Sequence, residues 1–247
     1  MNDKKEWFTS WFDSPYYHNL YENRNNQEAA DFVLHLIDLI QPKKESRILD
    51  VACGRGRHAI ELSRLGYNVT GIDLSAESIK YASEQAKKRG VTEGLEFKVH
   101  DMRKPLAEKY NHIINLFTSF GYFSNPQDNF HVMQSFRHQL ADNGVGVIDF
   151  LNPKWVVSNL VEKEDIKRDG ILFSIRRNVD SRWLIKDIDI QTNRSHYHFQ
   201  ERVQLLEVDD FISLFTKVGL QLVDLFGDYQ LGTYSRKKSN RQILVFQ

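Results

Sequence analysis

A chain of 247 residues with 33 Lys+Arg against 33 Asp+Glu carries no formal net charge. That length suits one α/β domain plus an insertion and leaves room for a core that needs no staples. Hydrophobic residues at 41% and charged residues at 27% exclude general disorder, collagen and coiled coil. The missing basic excess speaks against a dedicated nucleic-acid or anionic-membrane binder.

The single cysteine, Cys53, rules out a disulfide framework and a Cys-rich zinc site, and it suits a reducing compartment. No apolar run approaches the ~18 residues of a membrane span. The opening MNDKKEWFTSWFDS lacks the apolar centre of a signal peptide. The expectation is a soluble, cytoplasmic protein, monomeric or homodimeric, with a small-molecule partner.

Residues 1–25 are aromatic and polar without a clean period. Trp7, Phe8, Trp11, Phe12, Tyr16, Tyr17 and Tyr21 read as an arm that packs onto another surface. Over 27–40, Ala30, Val33, Leu34, Ile37 and Ile40 fall on one helical stripe, which Pro42 stops. Strand and helix signals then alternate. RILDV (47–51) leads through Gly54 and Gly56 into a helix over 57–65, ended by Gly66, and NVTGID (68–73) is the next strand. Ser75 can cap a helix with Ile79, Ala82 and Ala86 on one face, and Gly90 ends it. LEFKVHD (95–101), HIINLF (112–117) and GVGVIDF (144–150) read as strands, with a helix opened by Pro126 and Asp128 before the last. Apolar strands alternating with helices predict a parallel sheet covered on both faces.

After Pro153 the period shortens to two. Ile171, Phe173, Ile175 and Val179 share one face, as do Tyr197, Phe199, Val203 and Leu205; His196, His198, Gln200, Arg202 and Gln204 occupy the opposite face of the second run. Such neighbouring runs predict an antiparallel β insertion over 154–206. A helical stripe returns with Val208, Phe211, Ile212, Phe215 and Val218, capped by Gly219. QLVDLF (221–226) and RQILVF (241–246) are placed to pair as a closing antiparallel hairpin.

The chemistry concentrates in ILDVACGRGRHAIELSRLGYNVTGIDLS (48–75). Two glycines between a buried strand and a helix let the backbone turn sharply and approach a ligand, with helix N-terminal amides toward a negative group. Asp73, ending the next strand, is placed to accept from a ribose diol. Gly54, Gly56 and Ala59 formally satisfy a nicotinamide-dinucleotide fingerprint, so an NAD(P)-dependent oxidoreductase is one reading. S-adenosylmethionine is the other. It wants an acid at the end of the first strand, here Asp50, and the third strand also ends in an acid, Asp101. The ordered set Asp50, Gly54, Gly56, Asp73, Asp101 is a far more specific signal than a glycine pair.

The stretches LDVACGRGRHAIELSRLGYNVTGIDLS, VHDMR and INLFTSFGYFSNPQDN resemble those of class I S-adenosylmethionine-dependent methyltransferases, in particular the bacterial small-molecule branch with a β-insert lid. The likeness covers roughly 15–150 well and the terminal GDYQLGTYSRKKSNRQILVF more loosely. It implies an α/β, Rossmann-like fold: a mostly parallel seven-stranded sheet with helices on both faces, an antiparallel C-terminal strand and the antiparallel insertion. The implied domain would span 26–153 and 207–247, with 1–25 as an arm or lid and 154–206 as a substrate lid.

The same resemblance implies site residues for an S-adenosylmethionine cofactor. Asp50, Ala52 and the Gly54–Gly56 loop would hold the methionine end. Asp73 would bind the ribose, Leu74 would pack on the adenine, and Asp101 and Met102 would meet the adenine amine. Leu116 and Phe117 would border the sulfonium, and Tyr17, Tyr21 and Arg24 of the arm would close over the cofactor. Cys53 and Arg55 receive no role beyond backbone contact. The implied reaction is in-line transfer of a methyl group to an N or O nucleophile of a small metabolite, with a non-catalytic S-adenosylmethionine-binding module as the alternative.

Candidate substrate contacts are Tyr16, Tyr122, His196, His198 and Arg202. His196 and His198, two apart on one strand face, suit a metal pair, but no third ligand follows, so a solvated face is read and no metal is expected. His58 reads as a helix-surface residue rather than a base. Asp228 and Tyr229, before Gly232, stay open between loop structure and substrate contact.

Overall fold

The computed structural model describes residues 6–21 and 26–247. Two short helices, α1 (Trp7–Phe12) and α2 (Pro15–Leu20), precede α3 (Asn26–Ile40). The alternating region follows as β1 (Arg47–Val51), α4 (Arg57–Arg64), β2 (Asn68–Asp73), α5 (Ala76–Lys88), β3 (Leu95–Val99), β4 (Tyr110–Asn115), α6 (Pro126–Gln139) and β5 (Leu140–Leu151). After α7 (Pro153–Ser158) come β6 (Lys163–Arg168), β7 (Ile171–Asp180), β8 (Trp183–Gln191) and β9 (His196–Gln204). The chain ends with α8 (Val208–Val218), β10 (Leu222–Phe226) and β11 (Arg241–Phe246).

Seven strands form one sheet in the order β10-β11-β5-β4-β1-β2-β3. β1 pairs in parallel with β2 and β4, β2 with β3, and β4 with β5, while β11 runs antiparallel to both β5 and β10. The expected fold class and the closing hairpin are therefore present. Alternate residues of each central strand feed opposite cores, as the pleat requires. Ile48, Val147, Ile243 and Val245 pack under α3 and α4, whereas Leu49, Ile148, Leu244 and Phe246 pack under α6 and α8. Ser75 caps α5 by accepting from the Ser78 N–H at 3.0 Å, and Gly219 closes α8 with a left-handed backbone.

The other four strands form a separate antiparallel sheet, β6-β7-β8-β9. Its apolar face, with Phe173, Ile175, Ile188 and Ile190, is covered by Trp11 and Leu20 of α1 and α2. The aromatic N-terminal segment thus docks on the second sheet. Trp11 is fully buried there, and its indole N–H donates to Glu201 Oε1 at 2.6 Å. Tyr21 also donates to that carboxylate, at 2.7 Å, and Lys186 donates to the Tyr21 hydroxyl. Among the described residues, no helix is long and apolar enough to cross a membrane.

Candidate active site

The C-terminal ends of β1, β2 and β4 open onto a cavity of about 500 Å³, which the arm helices border from the other side. This is the edge at which an open α/β sheet binds ligands, because its strand order reverses there between β1 and β4.

Asp50, Ala52, Gly54, Asp73, Leu74, Asp101, Met102, Leu116 and Phe117 all line the cavity, as do Tyr17, Tyr21 and Tyr122. Arg24 lies outside the described residues. Gly56 is not on the wall. It opens α4 at φ 75°, and a Cβ there would sit 2.7 Å from the Phe97 ring and 2.9 Å from the Ala82 Cβ. Its glycine serves the turn and close packing. Gly54 differs: at φ 54°, a Cβ would meet nothing within 4 Å, so the space before it is open.

The two glycine amides of the loop serve the protein itself: the Gly54 N–H donates to Asp73 Oδ2 at 2.8 Å, and the Gly56 N–H donates to the Cys53 carbonyl at 3.0 Å. Asp73 also accepts from the Ser75 N–H at 2.8 Å through Oδ1. The carboxylate fastens the glycine loop to the end of β2. Burial raises its pKa, opposed by these N–H donors.

Asp50 is 1% exposed, and its Oδ2 has no hydrogen-bond partner among the described residues. Burial, then the charge of Asp73, pushes its pKa up to about 8, against an N–H donated by Ala59 and the nearby Arg57. A buried carboxyl with an idle oxygen beside a cavity is the arrangement that a cationic ligand group would complete. Asp101 is otherwise engaged. Its Oδ2 pairs with the Arg103 guanidinium at 2.6 Å, and Arg103 also reaches Asp128 and Glu6. Burial opposes its ionisation, but Arg103 prevails and holds the carboxyl below its ordinary range. Any adenine amine would have to share it.

Four proposed substrate contacts lie away from the cavity wall. Tyr16 packs on Tyr197, with ring centroids 4.9 Å apart. The Arg202 guanidinium lies over the Trp183 ring. His196 and His198 face the solvent side of β9, where His198 Nδ1 sits 3.0 Å from Asp189 Oδ1. No group of three or more His, Cys, Asp or Glu residues gathers to hold a metal among the described residues.

His58 corrects the sequence reading in the other direction. It is 5% exposed and lines the cavity, with its ring 5.2 Å from that of Phe117. Burial, reinforced by Arg57, drives its pKa down to about 3. His18 also lines the cavity, and burial with Arg55 lowers its pKa to about 4 against the pull of Asp13. Both imidazoles are neutral at pH 7. Phe8, Phe12 and Phe123 add apolar wall. Arg55, assigned no side-chain role by the sequence, lies over the Tyr81 ring at 4.2 Å, and both residues border the cavity. Tyr229 is settled as structural: its hydroxyl donates to Asp149 Oδ2 at 3.2 Å behind the wall.

The family model described as a methyltransferase domain matches residues 42–200. The chain belongs to the methyltransferase-domain family. Its class, an S-adenosylmethionine-dependent methyltransferase on a Rossmann-like sheet, is as expected, and the nicotinamide alternative falls away. The methyltransferase is 24% identical over 222 residues to the dTDP-3-amino-3,4,6-trideoxy-alpha-D-glucopyranose N,N-dimethyltransferase of Streptomyces venezuelae, covering 85% of this chain and 91% of that one. It is 25% identical over 212 residues to the glycine/sarcosine N-methyltransferase of Aphanothece halophytica, covering 84% and 77%. In fold it is similar to a solved S-adenosylmethionine-dependent methyltransferase from Clostridium acetobutylicum, with a TM-score of 0.79 and 16% identity over 94% of this chain and 96% of that one.

Proposed function

We propose that this methyltransferase moves a methyl group from S-adenosylmethionine to the nitrogen of a small-molecule amine. The observation that carries the reading is the convergence of Asp50, Asp73 and Asp101 from three separate strand ends on one cavity with an aromatic wall. When bound, the cofactor supplies a methyl on a positively charged sulfur, an electrophile already activated and with a neutral leaving group. The protein's part is then to bind, align and keep water out.

In this reading Asp50 takes the amino group of the methionine moiety. The idle Oδ2 fits a cationic donor, and a positive partner would bring the carboxyl back to its charged form. Asp73, already fixing Gly54 and Ser75, receives the ribose. Leu74, Asp101 and Met102 flank the base, and Leu116 and Phe117 stand by the sulfur. The acceptor occupies the remaining space among Phe8, Phe12, Tyr17 and Tyr122. That wall suits an amine nucleophile. An apolar surround lowers an amine's pKa and favours its neutral, nucleophilic form. Two of the similar proteins are named as N-methyltransferases, of an amino sugar and of glycine.

The arm (1–25) and the β insertion (154–206) act together as the lid over a domain of 26–153 and 207–247, joined through the Trp11, Tyr21, Lys186 and Glu201 network. The buried, free Cys53 supports a cytoplasmic setting. The test is mass spectrometry after incubation with S-adenosylmethionine and a panel of amino sugars, small amino acids and their hydroxyl counterparts. Methylation of an amine but not its hydroxyl analogue is expected. Methylation of the hydroxyl analogues alone would overturn the nitrogen assignment.

A further inference from the structure

Behind the cavity wall lies a buried ion pair. Asp149 of β5 is fully buried, and the Arg241 guanidinium at the start of β11 donates from Nε to Asp149 Oδ1 at 2.7 Å. Asp149 Oδ2 receives two more donors: the Phe117 backbone N–H at 2.8 Å and the Tyr229 hydroxyl at 3.2 Å. The Asp149 carbonyl accepts from the Thr118 N–H at 3.0 Å, and Arg241 Nη2 donates to Thr118 Oγ1 at 2.9 Å. Tyr229 is itself tethered to α3, its carbonyl 2.7 Å from His35 Nδ1 and its ring 4.6 Å from Phe32.

Three of these bonds reach the turn that follows β4. Phe117 and Thr118 have φ of 58° and 60°, so two successive side-chain-bearing residues sit in the left-handed region. Such a pair persists only where its surroundings over-determine it. The bonds to Asp149 and Arg241 do so, together with the Tyr122 hydroxyl, which donates to the Thr118 carbonyl. A buried ion pair is weak evidence for stability as such, since apolar replacements are often as stable. Here three of its bonds go to one strained stretch, at the Phe117 N–H, the Thr118 N–H and Thr118 Oγ1, and that stretch carries two residues of the cavity wall, Leu116 and Phe117. Among the described residues, the Phe117 ring lies beside Tyr229 at 5.3 Å, His58 at 5.2 Å and the Arg57 guanidinium at 5.0 Å.

We propose that Asp149, supported by Arg241 and Tyr229, is a positioning residue for methyl transfer. It fixes the Leu116–Thr118 stretch, left-handed at Phe117 and Thr118, as the wall against which the methyl-bearing sulfur is placed. The proposal rests on the cofactor assignment above. The donor and its product, S-adenosylhomocysteine, differ only at that sulfur, by a methyl group and a positive charge. The ratio of their affinities therefore reports the wall around the sulfur and cancels the contacts at the adenosine and amino-acid ends.

Isothermal calorimetry on the full chain measures both ligands. Asp149→Asn should weaken S-adenosylmethionine by roughly three- to tenfold more than S-adenosylhomocysteine, the range expected for coupled neighbours. Tyr229→Phe leaves the ion pair in place, so it reports even if Asp149→Asn does not fold, and it should move the ratio the same way by about twofold. Equal weakening of both ligands in Tyr229→Phe and in any folded Asp149→Asn, or an unchanged ratio, would overturn the positioning role. Failure of the wild type to bind either ligand would overturn the cofactor assignment itself, and with it this proposal.

Discussion

The Lys186–Glu201 interior of the antiparallel sheet and the cavity edge of the parallel sheet treat their polar groups differently. In the antiparallel sheet, charged and polar side chains find one another: Lys186 and Glu201 meet Tyr21 and Trp11 in the interior, and His196 and His198 lie beside Asp187 and Asp189 on the surface. At the edge of the parallel sheet, Asp50 is buried, with one oxygen unpartnered among the described residues and its pKa pushed up to about 8. A network that satisfies itself needs no further partner; a buried carboxyl left incomplete beside a cavity has capacity for one. The His196–His198 pair, so conspicuous in the sequence, belongs to the first kind and does not line the cavity.

The contrast can be broken most directly at Asp73. Asp73→Ala removes the acceptor for Gly54 and Ser75 as well as any ribose contact. S-adenosylhomocysteine affinity should fall roughly a hundredfold by calorimetry, and undiminished binding would remove the basis for the site. Asp50→Asn should cost about tenfold in the same assay. It also has a signature without ligand. With a carboxyl pKa of about 8 in the folded protein against an ordinary value of 3.8, the folded state binds more protons than the unfolded state between those values. Stability should therefore fall as pH rises from about 4 to 8, and Asp50→Asn should flatten that decline, raising Tm at pH 8 by about 5 °C. A Tm slope that survives the substitution would place its origin elsewhere.

On the other side of the comparison, Trp11→Ala removes the largest side chain joining the arm to the antiparallel sheet. The arm should become open to limited proteolysis, and cofactor affinity should drop by roughly fivefold as the lid loosens. Unchanged proteolysis and affinity would refute the joint lid. The smallest effect belongs to His198→Ala. An exposed pair is worth little, so calorimetry should show less than about a twofold change and thermal melting almost none.

Much of the fold was legible because it is local. The strand–glycine–helix step at 47–64, the Ser75 cap and the strand-end acids each depend on spacing within one turn or one strand. β8 escaped because Lys186 stands at an inward position and blurs the alternation of WLIKDIDIQ; its burial makes sense only once Glu201 and Tyr21 are beside it. The helices α1 and α2 are six residues each, too short to print a period. His58 was misread for a related reason. A histidine early in an amphipathic helix reads as surface until Phe117, from a distant turn, closes over it.

By itself, then, the sequence determined the order of strands and helices of the parallel sheet, the glycine turn and the three acids, because backbone geometry and side-chain period act over a few residues. The tertiary structure alone decided which oxygens stay idle, that Asp101 is committed to Arg103, that the arm docks on the antiparallel sheet, and that Asp149 holds the turn after β4. Those outcomes depend on groups brought together from far along the chain, where burial sets the cost of an unmatched charge and only the folded neighbourhood supplies its partner.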